Sequence, residues 1–532
     1  MPPASAPPAE EKEALRRDVT VWGSFMWGYA DVGADIYTAL GLVAAAAAGG
    51  LPVAFAVAGL IYVMVGLGYT ELASTYPVAG GGQYFTLRGL GDIWGFVAGS
   101  ALLLDYTIDI ALFAVSSSGY FNFFLPYLGI DKDRFVVSFG LVHNLNYLWL
   151  VETVGMIIAL ILLNVRGIRI SSLVNEVLGV FALLGQAVIL VMGFLFAWDP
   201  QRLVSQMVLH FPNLHNFMYG SSLAIISFVG LESISQAAQE TRRPATIIPR
   251  TSIALVLNVL IFAVSFAVLG TGFHSPVTVQ LLGEHPGDPI AYLAQYIPVI
   301  GPIAAPFTAL IGGLIVFMSS NSGVMSASRL TFSMSGLKLL PAWFNAVHPK
   351  FHTPHRTIVV FSLVAIVETI LAFMTTSAMD LLGNMYAFGA TLGYILVFIS
   401  LIVLRFRDPY TPRPYRMPLN IRLRLKKYTH AVDFPILGII GAAGVGMILF
   451  EVILTHAVGR IAGPAWVILL TLYYINYRKK QGMPIWGNLP RDWENDQRQV
   501  LASAEEFELL EAYEEALKER DAERARRAAG TT

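Results

Sequence analysis

The chain of 532 residues contains no cysteine, which excludes disulfide bonds, thiolate metal sites and a cysteine nucleophile. Charged residues are also scarce: they make up 13% of the chain, against about 25% in soluble proteins. A net charge of −1 gives no basis for nucleic-acid binding. Since 55% of the residues are hydrophobic and many lie in long runs, the composition indicates a membrane protein.

Long apolar runs recur through most of the chain, and crossing a bilayer takes about 20 such residues in a helix. The sequence therefore predicts an all-α integral membrane protein with about twelve transmembrane helices, embedded in the lipid bilayer of the plasma (inner) membrane. The predicted spans are 20–48, 52–75, 93–124, 135–163, 171–197, 217–238, 247–271, 299–333, 357–376, 380–404, 435–456 and 463–477.

Arginine and lysine concentrate in alternate connections between these spans, most densely over residues 405–427. Because basic loops stay on the cytoplasmic side, this asymmetry predicts that both termini are cytoplasmic. The charged, helix-periodic segment 500–528 is either a solvated helix, a helix docked on the inner loops or a contact with a second subunit.

Acidic residues lie deep within the predicted spans, whereas no basic residue does. A charged group at membrane depth is costly and marks a pathway unless it reaches water at a span end. We expect Glu71, Glu152, Glu368 and Glu451 to reach water at the ends of their spans. The functional candidates are Asp31, Asp105, Asp109 and Glu232.

Spans 1 and 6 each combine glycine and a carboxylate in mid-run. Gly33 lies between Asp31 and Asp35, and Gly230 precedes Glu232 by two residues. Such interruptions, five spans apart, predict two related halves whose unwound helices meet and offer backbone groups to a substrate. The alternative is that the glycines only let helices pack closely.

Three stretches resemble the amino acid–polyamine–organocation (APC) superfamily. Pro77 and the Gly80-Gly81-Gly82 run belong to the first, and Pro354-His355-Arg356 ends the third. The stretches are 71–84 (followed by Trp94-Gly95-Phe96), 230–250 and 326–356.

The resemblance implies a LeuT-like fold of two inverted five-helix repeats plus two extra helices. It implies a central site at the interruptions of spans 1 and 6, bordered by spans 3, 8 and 10, and alternating access driven by an ion gradient. The implied segments are a cytoplasmic tail (1–18), a first repeat (19–197), a second repeat (217–404), a basic cytoplasmic loop (405–434), two further spans (435–477) and a cytoplasmic tail with a charged helix (478–532).

The site residues follow from this placement. The predicted substrate-binding residues are Asp31, Val32, Gly33, Ala34, Asp35, Asp105, Ser227, Phe228, Gly230, Ser319, Ser320, Asn321 and Tyr386. The predicted ion-coupling residues are Asp105, Asp109 and Glu232.

We expect the substrate to be an amino acid or a related amine, with protons favoured over sodium as the coupling ion and with no cofactor or metal. Asp35 stands where APC amino-acid permeases usually have a second glycine, and an ionised carboxylate there would repel a substrate carboxylate. Asp31-Val32-Gly33 resembles the Asp-Ile-Gly of KUP-type potassium–proton symporters, which keeps potassium–proton symport as the alternative. A channel and a membrane enzyme are less favoured alternatives, the enzyme because no catalytic constellation stands out at membrane depth.

Overall fold

The computed structural model describes residues 20–529, except 79, 140–141, 167–168, 237, 239–240, 242, 275, 352 and 425–431. The predicted tail over residues 1–18 lies outside the described residues. Helices make up most of the rest, as the composition predicts.

The first half of the chain begins where the Thr20 hydroxyl caps α1 by accepting from the backbone N–H of Gly23 at 3.2 Å. The side chain of Asp199 caps the short α8 in the same way, at Gln201. The helices are α1 (Val21–Val32), α2 (Ile36–Ala47), α3 (Leu51–Thr75), α4 (Gly81–Leu90), α5 (Asp92–Asn122), α6 (Tyr147–Arg166), α7 (Arg169–Phe196) and α8 (Pro200–Leu209).

The second half of the chain begins with a helix that Asn213 caps. The α-helix that follows it is only five residues long. The helices are α9 (Leu214–Ala224), α10 (Glu232–Gln236), α11 (Pro244–Thr271), α12 (Val279–Gly283), α13 (Pro289–Gln295), α14 (Gly301–Gly336), α15 (His355–Phe373), α16 (Ala378–Arg407), α17 (Ile436–Thr455), α18 (Gly459–Lys480), α19 (Trp493–Ser503) and α20 (Phe507–Ala528).

Ten helical runs among the described residues are long and apolar enough to cross a membrane. One of them, Val21–Thr75, is 55 residues long, more than twice the roughly 20 that a crossing takes. The 3₁₀ turn Ala48–Gly50 divides it into two crossings. The 22-residue α18 lies outside the ten because tyrosines and a basic end lower its hydropathy. Counting both crossings of the first run, and α18, gives the predicted twelve.

The prediction that span 4 begins at residue 135 was wrong. Strands β1 (Val136–Phe139) and β2 (Val142–Asn146) form an antiparallel hairpin there, with Val137 opposite Leu145. The side chain of Asn146 accepts from the backbone N–H of Trp149 at 3.2 Å, so the helix begins only after it. A second hairpin, of β3 (Asn420–Leu423) and β4 (Val432–Pro435), lies in the basic loop.

The central helix is α5, which is buried along most of its length between α14 and α16. Small residues permit this packing: a Cβ on Gly389 of α16 would lie 2.8 Å from the backbone nitrogen of Asp105. Backbones of neighbouring helices therefore approach closely here, as small residues allow in membrane proteins.

The C-terminal helices dock on the membrane domain. Leu501, Tyr513 and Leu517 form a small buried cluster between α19 and α20. The Gln497 side chain donates to the carbonyl of Thr75 at the end of α3, at 3.0 Å. Within segment 500–528, the Glu506 side chain accepts from the backbone N–H of Ala245 at the start of α11, at 3.0 Å, so this segment also contacts the membrane domain.

Candidate functional site

The first helix interruption is a tight turn between α1 and α2. The backbone N–H of Gly33 still donates to Tyr29 at 2.9 Å, but those of Ala34 and Asp35 donate only three residues back, to Asp31 and Val32, at 3.3 and 3.4 Å. The predicted interruption is confirmed, but it is shallower than an unwound loop because these three amides keep backbone partners.

The second interruption is complete. A 3₁₀ turn over Ile225–Phe228 leads to an extended Val229 and then to Gly230, whose φ of +121° favours glycine. A Cβ on Gly230 would lie only 3.0 Å from Asp31 Cγ and 3.1 Å from the backbone nitrogen of Val32. Glycine is therefore needed both for the backbone conformation and for the contact between the two interruptions.

Glu232 begins the short helix beyond the second interruption. One carboxylate oxygen, Oε2, accepts from the hydroxyl of Tyr394 at 2.8 Å and from the backbone N–H of Gly230 at 3.2 Å. The other, Oε1, is buried without a hydrogen-bond partner among the described residues. This carboxyl group thus joins the second interruption to α16.

The first interruption contacts α14 through Ser319. The Ser319 hydroxyl lies 3.3 Å from Asp35 Oδ1 and 3.4 Å from the carbonyl oxygen of Asp31. Asp35 Oδ2 has no hydrogen-bond partner among the described residues. The structure therefore brings together Asp31, Asp35, Gly230 and Ser319.

Asp105 and Asp109 lie one helical turn apart in α5, and both are buried. The Tyr386 hydroxyl donates to Asp109 Oδ1 at 3.4 Å, and Asp109 also packs against Gly323 of α14. Neither carboxylate oxygen of Asp105 has a hydrogen-bond partner at normal geometry in the described part of the chain.

Two residues predicted at the site form hydrogen bonds with other helices. The Ser320 hydroxyl donates to the carbonyl of Ile110 at 2.8 Å. The Asn321 side-chain oxygen accepts from Asn164 of α6 at 2.6 Å. Both therefore hold helices together instead of facing the interruptions.

The remaining predicted residues line the interruptions as packing groups. Val32, Ala34 and Phe228 are fully buried, and the Phe228 ring lies 5.2 Å from that of Tyr62. Ser227 is buried too, and its hydroxyl has no partner within the described residues.

Gln186 of α7 was missed by sequence reasoning. Its side chain donates to the carbonyl of Gly33 at 3.0 Å and accepts from the Tyr29 hydroxyl at 3.0 Å. It thereby holds the first interruption against α7. A detectable signal existed, because a lone amide within an apolar span needs a partner. Tyr394, the partner of Glu232, carried no comparable signal.

The assembled site is acidic and closed to solvent. None of its five carboxyl groups forms an ion pair with lysine, arginine or histidine in the described part of the chain. Unpaired carboxylates are costly away from water unless they bind a proton or a cation. The five are Asp31, Asp35, Asp105, Asp109 and Glu232, all buried.

Two interrupted helices that meet beside such carboxyl groups, within a bundle of membrane-spanning helices, define an integral membrane transporter. The profile of a family described as amino acid permease matches residues 20–475. The chain belongs to this family, which lies within the APC superfamily.

Named relatives agree with the family. The branched-chain amino acid permease BcaP of Bacillus subtilis is 27% identical over 410 residues, covering 76% of this chain and 85% of the relative. The methylthioribose transporter of the same organism is 24% identical over 465 residues, covering 85% of this chain and 91% of the relative. The mouse cationic amino acid transporter 4 is 26% identical over 393 residues, covering 72% of this chain and 58% of the relative. These matches add nothing to the resemblance to potassium symporters.

Proposed function

We propose that the protein carries amino acids or related amines across the plasma membrane by alternating access, with protons as the coupling ion. The observation that carries this proposal is the contact of the two helix interruptions at Gly230 and Asp31. Interrupted helices of this kind place substrate groups at their ends in secondary transporters.

The acidity of the site favours a substrate with a positive group. An ammonium placed between Asp31 and Asp35 would donate charge-assisted hydrogen bonds to these carboxylates, including Asp35 Oδ2, which has no partner among the described residues. Amine-bearing solutes also agree with the names of the amino acid transporters among the relatives. An amino acid further needs donors for its own carboxylate, and the Gly230 N–H becomes one if it leaves Glu232 Oε2.

Proton coupling would use the other three carboxyl groups of the site. Asp105 and Asp109 share one face of α5 and repel each other when both are ionised. The Glu232 carboxylate accepts a hydrogen bond from Tyr394 of α16, so its protonation state would depend on the position of that helix. Loss of a proton from this group of three during the transport cycle would couple substrate release to a pH gradient.

The orientation is also a proposal. The docked tail contacts the ends of α3 and α4, at Thr75 and Arg88, on the face that carries the basic loop after α16. The positive-inside rule assigns that face to the cytoplasm, which places the C-terminal tail there.

Uptake into proteoliposomes tests the proposal. The purified chain should accumulate labelled branched-chain or cationic amino acids when the lumen is alkaline, and should lose this uptake in Asp35→Asn. The matched control is Asp131→Asn, since Asp131 is exposed in a loop. Potassium accumulation without amino-acid uptake would reverse the assignment in favour of the symporter. Uptake that does not respond to a pH gradient would remove protons from the mechanism.

A further inference from the structure

A cavity of about 370 Å³ lies at the junction between the docked tail and the membrane domain. Leu87 and Leu404, at the ends of α4 and α16, form one wall, and Trp493 and Leu517 of the tail form the other. The volume is in the range of small-molecule sites. The proposed transport cycle does not use this cavity, so its chemistry has to be explained separately.

Arginine dominates the polar lining of the cavity. Arginine is suited to planar, bidentate recognition of phosphate and carboxylate groups. The arginines are Arg88, Arg407, Arg491, Arg520 and Arg524. The acidic lining residues are Asp92, Asp408 and Glu494.

Each of the three carboxylates already has an arginine partner. Arg88 pairs with Asp408 at 2.7 Å, and Arg491 pairs with Asp92 at 2.5 Å. Arg520 pairs with Glu494. Asp92 additionally pairs with the fully buried Arg478, behind the cavity wall. The acidic residues are therefore neutralised from within the protein.

Two arginines remain without a carboxylate. Arg407 donates to the carbonyl of Gly89 at 2.8 Å, a neutral acceptor. Arg524 has no hydrogen-bond or ion-pair partner within the described residues, and both side chains are exposed. The cavity thus carries two uncompensated positive charges, one from the membrane domain and one from the tail.

We propose that this cavity binds a phosphate-bearing small molecule. A phosphate monoester carries a charge of about −1.5 to −2 near neutral pH, which matches the two free guanidinium groups. Tyr410 and Trp493 line the same cavity and add apolar surface for the organic part of the ligand. The phosphate can come from a soluble metabolite or from an anionic lipid headgroup. Because the walls belong to two parts of the chain, the bound ligand links the tail to the membrane domain.

Binding measurements on the purified full-length protein distinguish a soluble phosphate ligand from a lipid headgroup. Adenosine monophosphate, inorganic phosphate, short-chain phosphatidic acid and short-chain phosphatidylcholine are each titrated by calorimetry in neutral detergent. Binding of adenosine monophosphate supports a soluble ligand, and binding of phosphatidic acid alone supports a lipid headgroup. Phosphatidylcholine is expected not to bind, since its headgroup has no net charge. If none of the anionic phosphates binds, the proposal is wrong.

Variants locate the site without disturbing a structural ion pair. Arg407→Gln and Arg524→Gln should each weaken phosphate binding by about tenfold, the value of one charge-assisted hydrogen bond. The control Lys518→Gln removes an exposed cation of α20 that does not line the cavity, and should leave affinity unchanged. Equal affinity in the wild-type protein and the Arg407→Gln/Arg524→Gln double variant would assign the anion to another surface and overturn the proposal.

Discussion

Arg405 and Glu71 form a buried bidentate ion pair between the end of α16 and α3. Arg405 Nε donates to Glu71 Oε1 at 2.6 Å, and Nη2 donates to Oε2 at 2.5 Å. The backbone N–H of Met417 also donates to Oε2, at 2.8 Å, so the pair anchors the basic loop. The interpretation of Glu71 as a residue in headgroup water was therefore wrong.

Replacing one member of this pair should destabilise the protein strongly. Glu71→Gln leaves the buried guanidinium of Arg405 without its counter-ion, and such losses cost about 3–5 kcal/mol. Unfolding of the purified protein measures the effect. The control is Arg416→Met, since the Arg416–Asp433 pair is largely exposed and should contribute at most about 1 kcal/mol. Equal stability of both variants would contradict the expectation.

Gly230→Ala should abolish most transport while leaving an assembled protein. The substitution strains a backbone at φ +121°, at a cost of about 1–3 kcal/mol, and drives a methyl group into the Asp31 carboxylate. Uptake per folded molecule, with size-exclusion chromatography as the folding check, measures the outcome. Gly155→Ala is the control, because a Cβ there meets nothing within 4 Å. Full uptake by Gly230→Ala would remove this contact from the transport site.

The helix interruptions were predictable because their signal is local. Glycine and carboxylate together within an apolar run disfavour a continuous helix, and the structure interrupts both runs at Gly33 and Gly230. Which neighbours face the interruptions was less predictable. Ser319 reaches Asp35, but a helix turns by about 100° per residue, so Ser320 and Asn321 point to other helices.

Partners that are distant in sequence lay beyond prediction. Glu71 and Arg405 are 334 residues apart, and no periodicity within either helix indicates that they meet. The docked tail poses the same problem, since Gln497 finds Thr75 only through the tertiary fold. Tertiary packing, which local patterns do not encode, decides both contacts.

Gln186→Leu should lower the uptake rate per folded molecule, in addition to lowering the free energy of unfolding. The leucine would leave the Gly33 carbonyl and the Tyr29 hydroxyl unsatisfied beside the first interruption, and each such group costs about 1–3 kcal/mol. Tyr29→Phe removes only the hydroxyl side of this bridge, so its uptake should fall less. Uptake and unfolding are measured on the same preparations. Loss of stability without loss of uptake in Gln186→Leu would mean that the bridge has a purely structural role.

His456, in the connection between α17 and α18, should make the protein sensitive to acid. Burial lowers the pKa of His456 from its ordinary value of 6.5 to about 4, and its Nε2 lies 2.7 Å from the Ser222 hydroxyl. Since the unfolded chain binds this proton more readily, the neutral ring contributes stability that is complete above pH 6.5 and is lost as the pH falls toward 4. The full difference amounts to about 3 kcal/mol. His456→Gln keeps a polar partner for Ser222 without titrating, so its unfolding temperature should decline less than that of the wild-type protein between pH 7 and pH 4. Parallel decline of the two curves would show that other groups control the acid response.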